Sequence, residues 1–347
     1  MIAISAVDLF CGAGGLTHGF QQAGLPVTVG YDIDPICQFP YEYNNKAKFI
    51  LQGVEELTGT DLAKHYISDQ IKVLAGCAPC QPFSNYSRRY TNKTTKWKLL
   101  HDFARLVREC NPEIVSMENV PQLRRYQVFE EFTTELKHHG YFISFYEVEC
   151  KDYGIPQIRK RLVFFASKFS KINLILPTHN NTNYETVRKT IYNLEPLAAG
   201  ESSKTDRLHR CSKLSALNLR RIRASLPGGT WRDWPDELVA ECHTKDSGKT
   251  YPAVYGRMEW DLPSPTITTQ FFGFGNGRFG HPEQDRAISL REAALLQTFP
   301  RDYKFVADTK PVVFNNVGRL IGNAVPVKLG QVVAQSILKH VTNVSNI

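Results

Sequence analysis

The sequence contains no apolar run near the ~18 residues of a membrane span, and its first stretch, MIAISAVDLF, carries no basic, cleavable leader. Neither a membrane protein nor a secreted one is expected, and cytoplasmic residence follows. Internal repeats and low-complexity tracts are also missing, which excludes a repeat architecture. No second CxxC or CxxxH partner accompanies the CxxC of Cys77 and Cys80, so a four-ligand structural zinc site is not expected, and no metal is called for. The eight cysteines are scattered rather than framed for disulfides. A GxGxxG turn is absent too; the glycine turn near the start reads Gly12-x-Gly14-Gly15, which sets a dinucleotide aside. Finally, Gln81 through Lys98 has no acid at all.

The 347 residues suffice for a substantial core and two lobes, and 42% hydrophobic with 22% charged residues is ordinary for a soluble globular chain. Net charge is +8, and from Lys168 to Pro235 there are 12 Lys+Arg against 5 Asp+Glu. An anionic partner or simply a solvated basic face would account for that surplus.

Up to about residue 167, strand-like runs (AISAVDLF, PVTVGYDID, IKVLAGCAP, EIVSMENV, RLVFFAS) alternate with helical spacing, as in LLHDFARLVREC. This βαβα order predicts a mostly parallel sheet covered on both faces, with ligands outside the carboxyl ends of the strands. From 168 to about 265 the text turns rich in Asn, Ser, Arg and turn residues, predicting a smaller, loop-rich lobe. Residues 266–347 supply a Pro/Gly-rich connector, the helix SLREAALLQTFP with a Ser289/Glu292 capping box, and a last helix packing back on the first lobe.

Five stretches suggest chemistry. DLFCGAGG (8–15) is a strand entering a glycine turn, suited to a nucleoside bearing an amino acid or to a generic βα turn. Strand two ends in Asp32-Ile33, where an acid can accept from ribose hydroxyls and Ile33 can cover an adenine. In GCAPCQPFS (76–84), Pro79 and Pro82 enforce an extended loop around Cys80, unlike a thioredoxin-type pair. The basic and aromatic residues that follow it suggest a thiol beside a polyanion, where a lone loop cysteine would otherwise be inert. Glu118 ends a strand, as a solvent-facing acid or as a carboxyl poised to share a proton. QIRKR (157–161) reads as one strand start with Gln157, Arg159 and Arg161 on one face.

In this order DLFCGAGG, the acid after strand two, PCQ, ENV, QxRxR, REAALLQTFP and IGNAVP resemble the DNA (cytosine-5)-methyltransferase family over nearly the whole chain. The resemblance implies an α/β fold: a Rossmann-like S-adenosylmethionine-dependent methyltransferase sheet with a smaller target-recognition domain. It implies methyl transfer from S-adenosyl-L-methionine, leaving S-adenosyl-L-homocysteine, to a flipped cytosine in duplex DNA within a restriction-modification system. Cys80 would add to C6, Glu118 would give a proton to N3, and Arg161 with Arg159 would hold O2. Phe10, Gly12, Gly14, Asp32, Ile33, Pro79, Leu99, Asn323, Ala324 and Val325 would line the cofactor. Ser84, Arg88, Arg89, Gln157, Arg221 and Arg232 are the expected nucleic-acid contacts, with Arg207, Arg210, Arg220, Arg223 and Arg278 as further candidates. One departure stands out: FILQGVEEL has Gly53-Val54 where the family carries an Asp for the adenine amino group. The chain is expected to act as a monomer on chromosomal DNA. Alternatives are a tRNA cytosine-5 methyltransferase and a non-catalytic binding protein on the same fold.

Overall fold

The computed structural model describes residues 3–79 and 94–344. Seven strands form the main sheet in the order β3-β2-β1-β4-β5-β8-β6. These are β1 (Ile4–Leu9), β2 (Val27–Asp32), β3 (Lys48–Leu51), β4 (Ile71–Gly76), β5 (Ile114–Asn119), β6 (Phe142–Glu149) and β8 (Lys160–Ser167). Strands β3, β2, β1, β4 and β5 run parallel, while β8 lies antiparallel to both β5 and β6. β1 and β5 are buried at every residue, so that even their polar residues Ser5, Asp8, Ser116, Glu118 and Asn119 lie inside. Phe103, Leu106, Phe132 and Leu136, from the helices Thr94–Cys110 and Gln127–His138, pack with Leu74, Met117 and Phe164 in one core cluster.

The helix Gly15–Gln22 packs on the helix Val327–Val344 at Gly19. A Cβ on Gly19 would lie 2.2 Å from the Val327 carbonyl oxygen and 2.8 Å from the Gly330 Cα, so the two backbones meet there and only glycine fits.

Two compact units divide the chain. One comprises Met1–Tyr153, Lys160–Thr178 and Ala324–Ile347; the other comprises Gly154–Arg159 and His179–Asn323. The expected boundaries at 167/168 and 265/266 are therefore displaced. Residues up to 178 stay with the first unit because Ser144 and Tyr146 donate to the Ile172 carbonyl, Tyr153 donates to that of Ile175, and the Ile175 amide donates to Ser336 Oγ. The helices Leu290–Leu296 and Phe314–Asn323 belong to the second unit, where Gln297 Nε2 donates to the Ile321 carbonyl.

The second unit carries a two-stranded sheet of β7 (Gln157–Ile158) and β9 (Ser264–Pro265). It also holds a small core of Ile222, Trp231, Trp234, Leu238, Phe274 and Ala287. Its anchor is a buried ion pair, with Arg286 donating through both terminal nitrogens to Glu292 at 2.7 Å. Burial opposes the charge on Glu292, but Arg286 outweighs it and holds the carboxyl at about 2. Glu292 also closes the capping box with Ser289. Among the described residues no helix is long and apolar enough to cross a membrane.

Candidate active site

The site-forming side chains of the first unit stand at one edge of the sheet, where β1, β2, β4 and β5 end. After β1 the backbone turns through Phe10, Gly12 and Gly14, with φ of 57°, 52° and 87°. A left-handed conformation at an aromatic residue costs about 1–3 kcal/mol, and such strain concentrates at ligand sites. Among the described residues nothing lies within 4 Å of where a Gly12 Cβ would stand, so the turn has room for a ligand.

Asp32 braces this turn. Its carboxylate accepts the Gly12 and Asp34 amides, each at 2.9 Å, and keeps lone pairs for further donors. Burial is the main force raising its pKa, against those amide hydrogen bonds. The neighbouring Ile33 is 70% exposed, an apolar side chain open to a ligand. A roomy glycine turn, an acid with spare acceptors and an exposed aliphatic side chain fit a nucleoside cofactor. Below them Asp8 accepts from Thr17 Oγ1 at 2.7 Å, and Thr17 also meets Tyr41. Burial foremost, and then Asp32, push the Asp8 carboxyl up to about 7, against the Thr17 hydrogen bond.

Glu118 is the penultimate residue of β5, with 4% of its side chain exposed. Arg161, at the start of β8, brings Nε to 2.7 Å from Glu118 Oε1, an ion contact outside hydrogen-bond alignment. The antiparallel register, which sets Glu118 opposite Val163, carries Arg161 to this end of the sheet. On the other oxygen, Cys77 Sγ donates to Oε2 at 2.9 Å. Asn119 Nδ2 donates to the Ala78 carbonyl at 3.1 Å and ties the loop after β4 to β5. Sequence reasoning missed both Cys77 and Asn119 as partners here. The adjacency of ENV to Glu118 signalled the second, whereas the CxxC frame drew attention to metal and redox chemistry instead.

Pro79 is exposed at the end of the β4 loop, Leu99 packs against the core cluster, and Ala324 and Val325 are buried in the first unit. Asn323 ends the helix Phe314–Asn323 of the second unit. Cys80, Ser84, Arg88 and Arg89 lie outside the described residues.

Three expectations need correction. QIRKR is not one strand: the chain leaves β7 after Ile158 and enters β8 at Lys160, in a different sheet. Gln157, expected at the nucleic acid, is fully buried. It donates to the Leu296 carbonyl and to Gln297 Oε1, and accepts from Arg159 and from the Ile267 amide, so nothing of it is left for a ligand. Arg159 is itself buried and donates to the Ile267 carbonyl. Arg221, also expected at the nucleic acid, is buried as well. It donates to the Leu238 carbonyl and to Asn218, with its guanidinium over Trp234 and Tyr255. A loop-rich lobe has many unpaired carbonyls, and the guanidinium fork satisfies them. Arg207 and Arg278 do the same for Ala307, Lys310 and Gly229. Arg232 stays exposed, over Trp231 and bonded to the Lys249 carbonyl.

Comparison with known proteins points one way. A Type II methylase of Herpetosiphon aurantiacus, M.HgiDII, is 54% identical over 336 residues, 96% of this chain and 94% of that protein. A Type II methyltransferase of Haemophilus parahaemolyticus, M1.HphI, is 30% identical, covering 99% of this chain and 88% of that one. Among solved structures, an E. coli prophage-encoded protein described as a DNA modification methyltransferase superposes with TM-score 0.74 at 21% identity. That match covers 98% of this chain and all of the other, and so bears on the fold. The family model for C-5 cytosine-specific DNA methylase matches residues 4–339, and the chain belongs to that family.

Proposed function

We propose that this DNA (cytosine-5)-methyltransferase is the modification enzyme of a Type II restriction-modification system and acts on a cytosine flipped from a specific duplex sequence. The observation that carries the residue assignment is the enclosed Arg161–Glu118 pair, at the same sheet edge as the Gly12–Asp32 turn.

S-adenosyl-L-methionine, when bound, supplies a methyl group on a sulfonium. Asp32 would accept its ribose hydroxyls, Ile33 and Phe10 would enclose the adenine, and the Gly12–Gly14 turn would leave room for the methionine portion. Pro79, Leu99, Asn323, Ala324 and Val325 complete the proposed lining.

Cytosine C5 is too poor a nucleophile to take a methyl group unaided. Cys80 thiolate adds to C6, the C5–C6 π pair shifts to C4–C5, the C4–N3 π pair moves onto N3, and N3 takes a proton from Glu118, which is left as a carboxylate. Arg161 stabilises charge developing on the ring and holds O2. After methyl transfer a base removes the C5 proton and the thiolate leaves. The target must leave the stack, because neighbouring bases cover C6 in a duplex. Ser84, Arg88, Arg89 and Arg232 are the proposed phosphate contacts, which makes affinity fall steeply with salt.

The test is covalent trapping on DNA carrying 5-fluorocytosine in many sequence contexts, with the methyl donor present. A denaturation-resistant adduct that disappears in Cys80→Ser is expected. An adduct with tRNA and none with any DNA would overturn the assignment. Methylation-sensitive sequencing of a host expressing the protein then returns the recognition sequence.

A further inference from the structure

Glu118 is held asymmetrically, and the asymmetry has a chemical meaning. Its Oε1 faces the Arg161 guanidinium at 2.7 Å, and its Oε2 faces the Cys77 thiol at 2.9 Å. A guanidinium carries donors only and never gives up its charge. A proton on Oε1 would therefore point at a cation that offers no acceptor. A thiol both donates and accepts weakly. Cys77 Sγ can keep its contact with Oε2 whether that oxygen is bare, as a donor to it, or protonated, as an acceptor from it.

We propose that Cys77 is a positioning residue for Glu118: it reserves Oε2 as the proton-bearing oxygen and holds it in place until the base arrives. The proposal rests on the proton-donor role of Glu118 given above. In the step itself the proton moves from Oε2 to ring N3 as the thiolate bonds to C6. Glu118 is left as a carboxylate, and Cys77 keeps its own hydrogen throughout, now donated to that carboxylate. Cys77 follows β4, with its amide bonded to the Leu9 carbonyl at 3.3 Å, and the Asn119–Ala78 hydrogen bond fixes the next residue. Its Sγ is therefore set by two neighbouring strands. The weak thiol also suits the task, since a strong donor such as lysine would hold Oε2 bare and oppose protonation.

The experiment is steady-state methylation by Cys77→Ala and Cys77→Ser, with Glu118→Gln in parallel and DNA affinity measured separately. Loss of a hydrogen bond to a charged group predicts a kcat about tenfold lower in Cys77→Ala, with KM for the methyl donor and DNA affinity within about threefold. Serine both donates and accepts, so Cys77→Ser should stay within about threefold of wild type in kcat. Should Cys77→Ala fail to fold, Cys77→Val preserves the volume without hydrogen-bonding capacity and is expected to show the same kcat loss. Unchanged kcat in Cys77→Ala or Cys77→Val, or a serine variant as slow as these, would overturn the proposal. Full activity in Glu118→Gln would instead overturn the underlying role of Glu118, and the Cys77 assignment with it. An inactive Glu118→Gln beside a wild-type-like Cys77→Ala would overturn the Cys77 assignment alone.

Discussion

Replacing Arg161 by Met tests whether the pair with Glu118 is a true buried ion pair. Methionine keeps the length of the stem and removes only the charge. The two side chains are 14% and 4% exposed, so the carboxylate would be left in the interior with the Cys77 thiol as its remaining close donor among the described residues. Removing one partner of a buried pair costs about 3–5 kcal/mol, and the surviving thiol contact argues for about 3. For a unit of roughly 200 residues, each kcal/mol moves Tm by about 2–4 °C. Calorimetry at neutral pH should therefore show the transition of the first unit roughly 6–12 °C lower. Adding Glu118→Gln removes the stranded charge and should recover roughly half of that loss while methylation stays abolished. A single Arg161→Met variant melting within about 2 °C of wild type would refute the reasoning, since no burial cost would then attach to the unpaired carboxylate.

Other outcomes follow from the same geometry. Asp32→Ala should weaken methyl-donor binding about 10–100-fold by titration calorimetry, the range for losing hydrogen bonds to a charged group; an unchanged Kd would remove Asp32 from the site. Asp8 binds a proton more tightly in the folded state, its carboxyl raised from 3.8 to about 7, so the folded protein holds more protons between those values. Stability of the first unit should consequently fall as pH rises from about 4 to about 7, and Asp8→Asn should flatten that slope in melting curves. Glu292 has the opposite sign. Its carboxyl is depressed to about 2, so its contribution is present above about pH 4.5 and fades as pH drops toward 2. Glu292→Gln should remove that acid limb in the second unit.

Much of the fold was legible because β1, β2, β4 and β5 are largely buried on both faces and follow one another in chain order. Leu9, Asp32, Gly76 and Asn119 each end a strand, and their apolar runs announce it. β6 was not legible: it borders the sheet, and its partly exposed Phe142 and Phe145 break the alternation that a half-buried strand would show. The switch of sheets between Ile158 and Lys160 was equally hidden, because a run of alternating residues looks the same whichever strand it pairs with. At the site, Glu118 and Arg161 could be paired from their motifs. Gln157 could not be read correctly, since its partners Leu296 and Gln297 lie about 140 residues away. The arginines of the second lobe misled for a related reason. Charge counts do not distinguish a guanidinium facing solvent from Arg221, which holds a main-chain carbonyl and covers two rings.

The contact of Gly19 with Gly330 carries a consequence for biosynthesis. The helix Gly15–Gln22 is made before the second unit, yet the helix that covers it begins at Val327, after the entire second unit has been translated. At about 5–20 residues per second, the ribosome needs roughly 15–60 s to deliver that partner. Through this interval the nascent chain holds an open apolar seam, and the second unit has time to fold first. Slow translation or a premature stop just after Asn323 would therefore expose the early helix to chaperones and proteases while leaving the second unit intact.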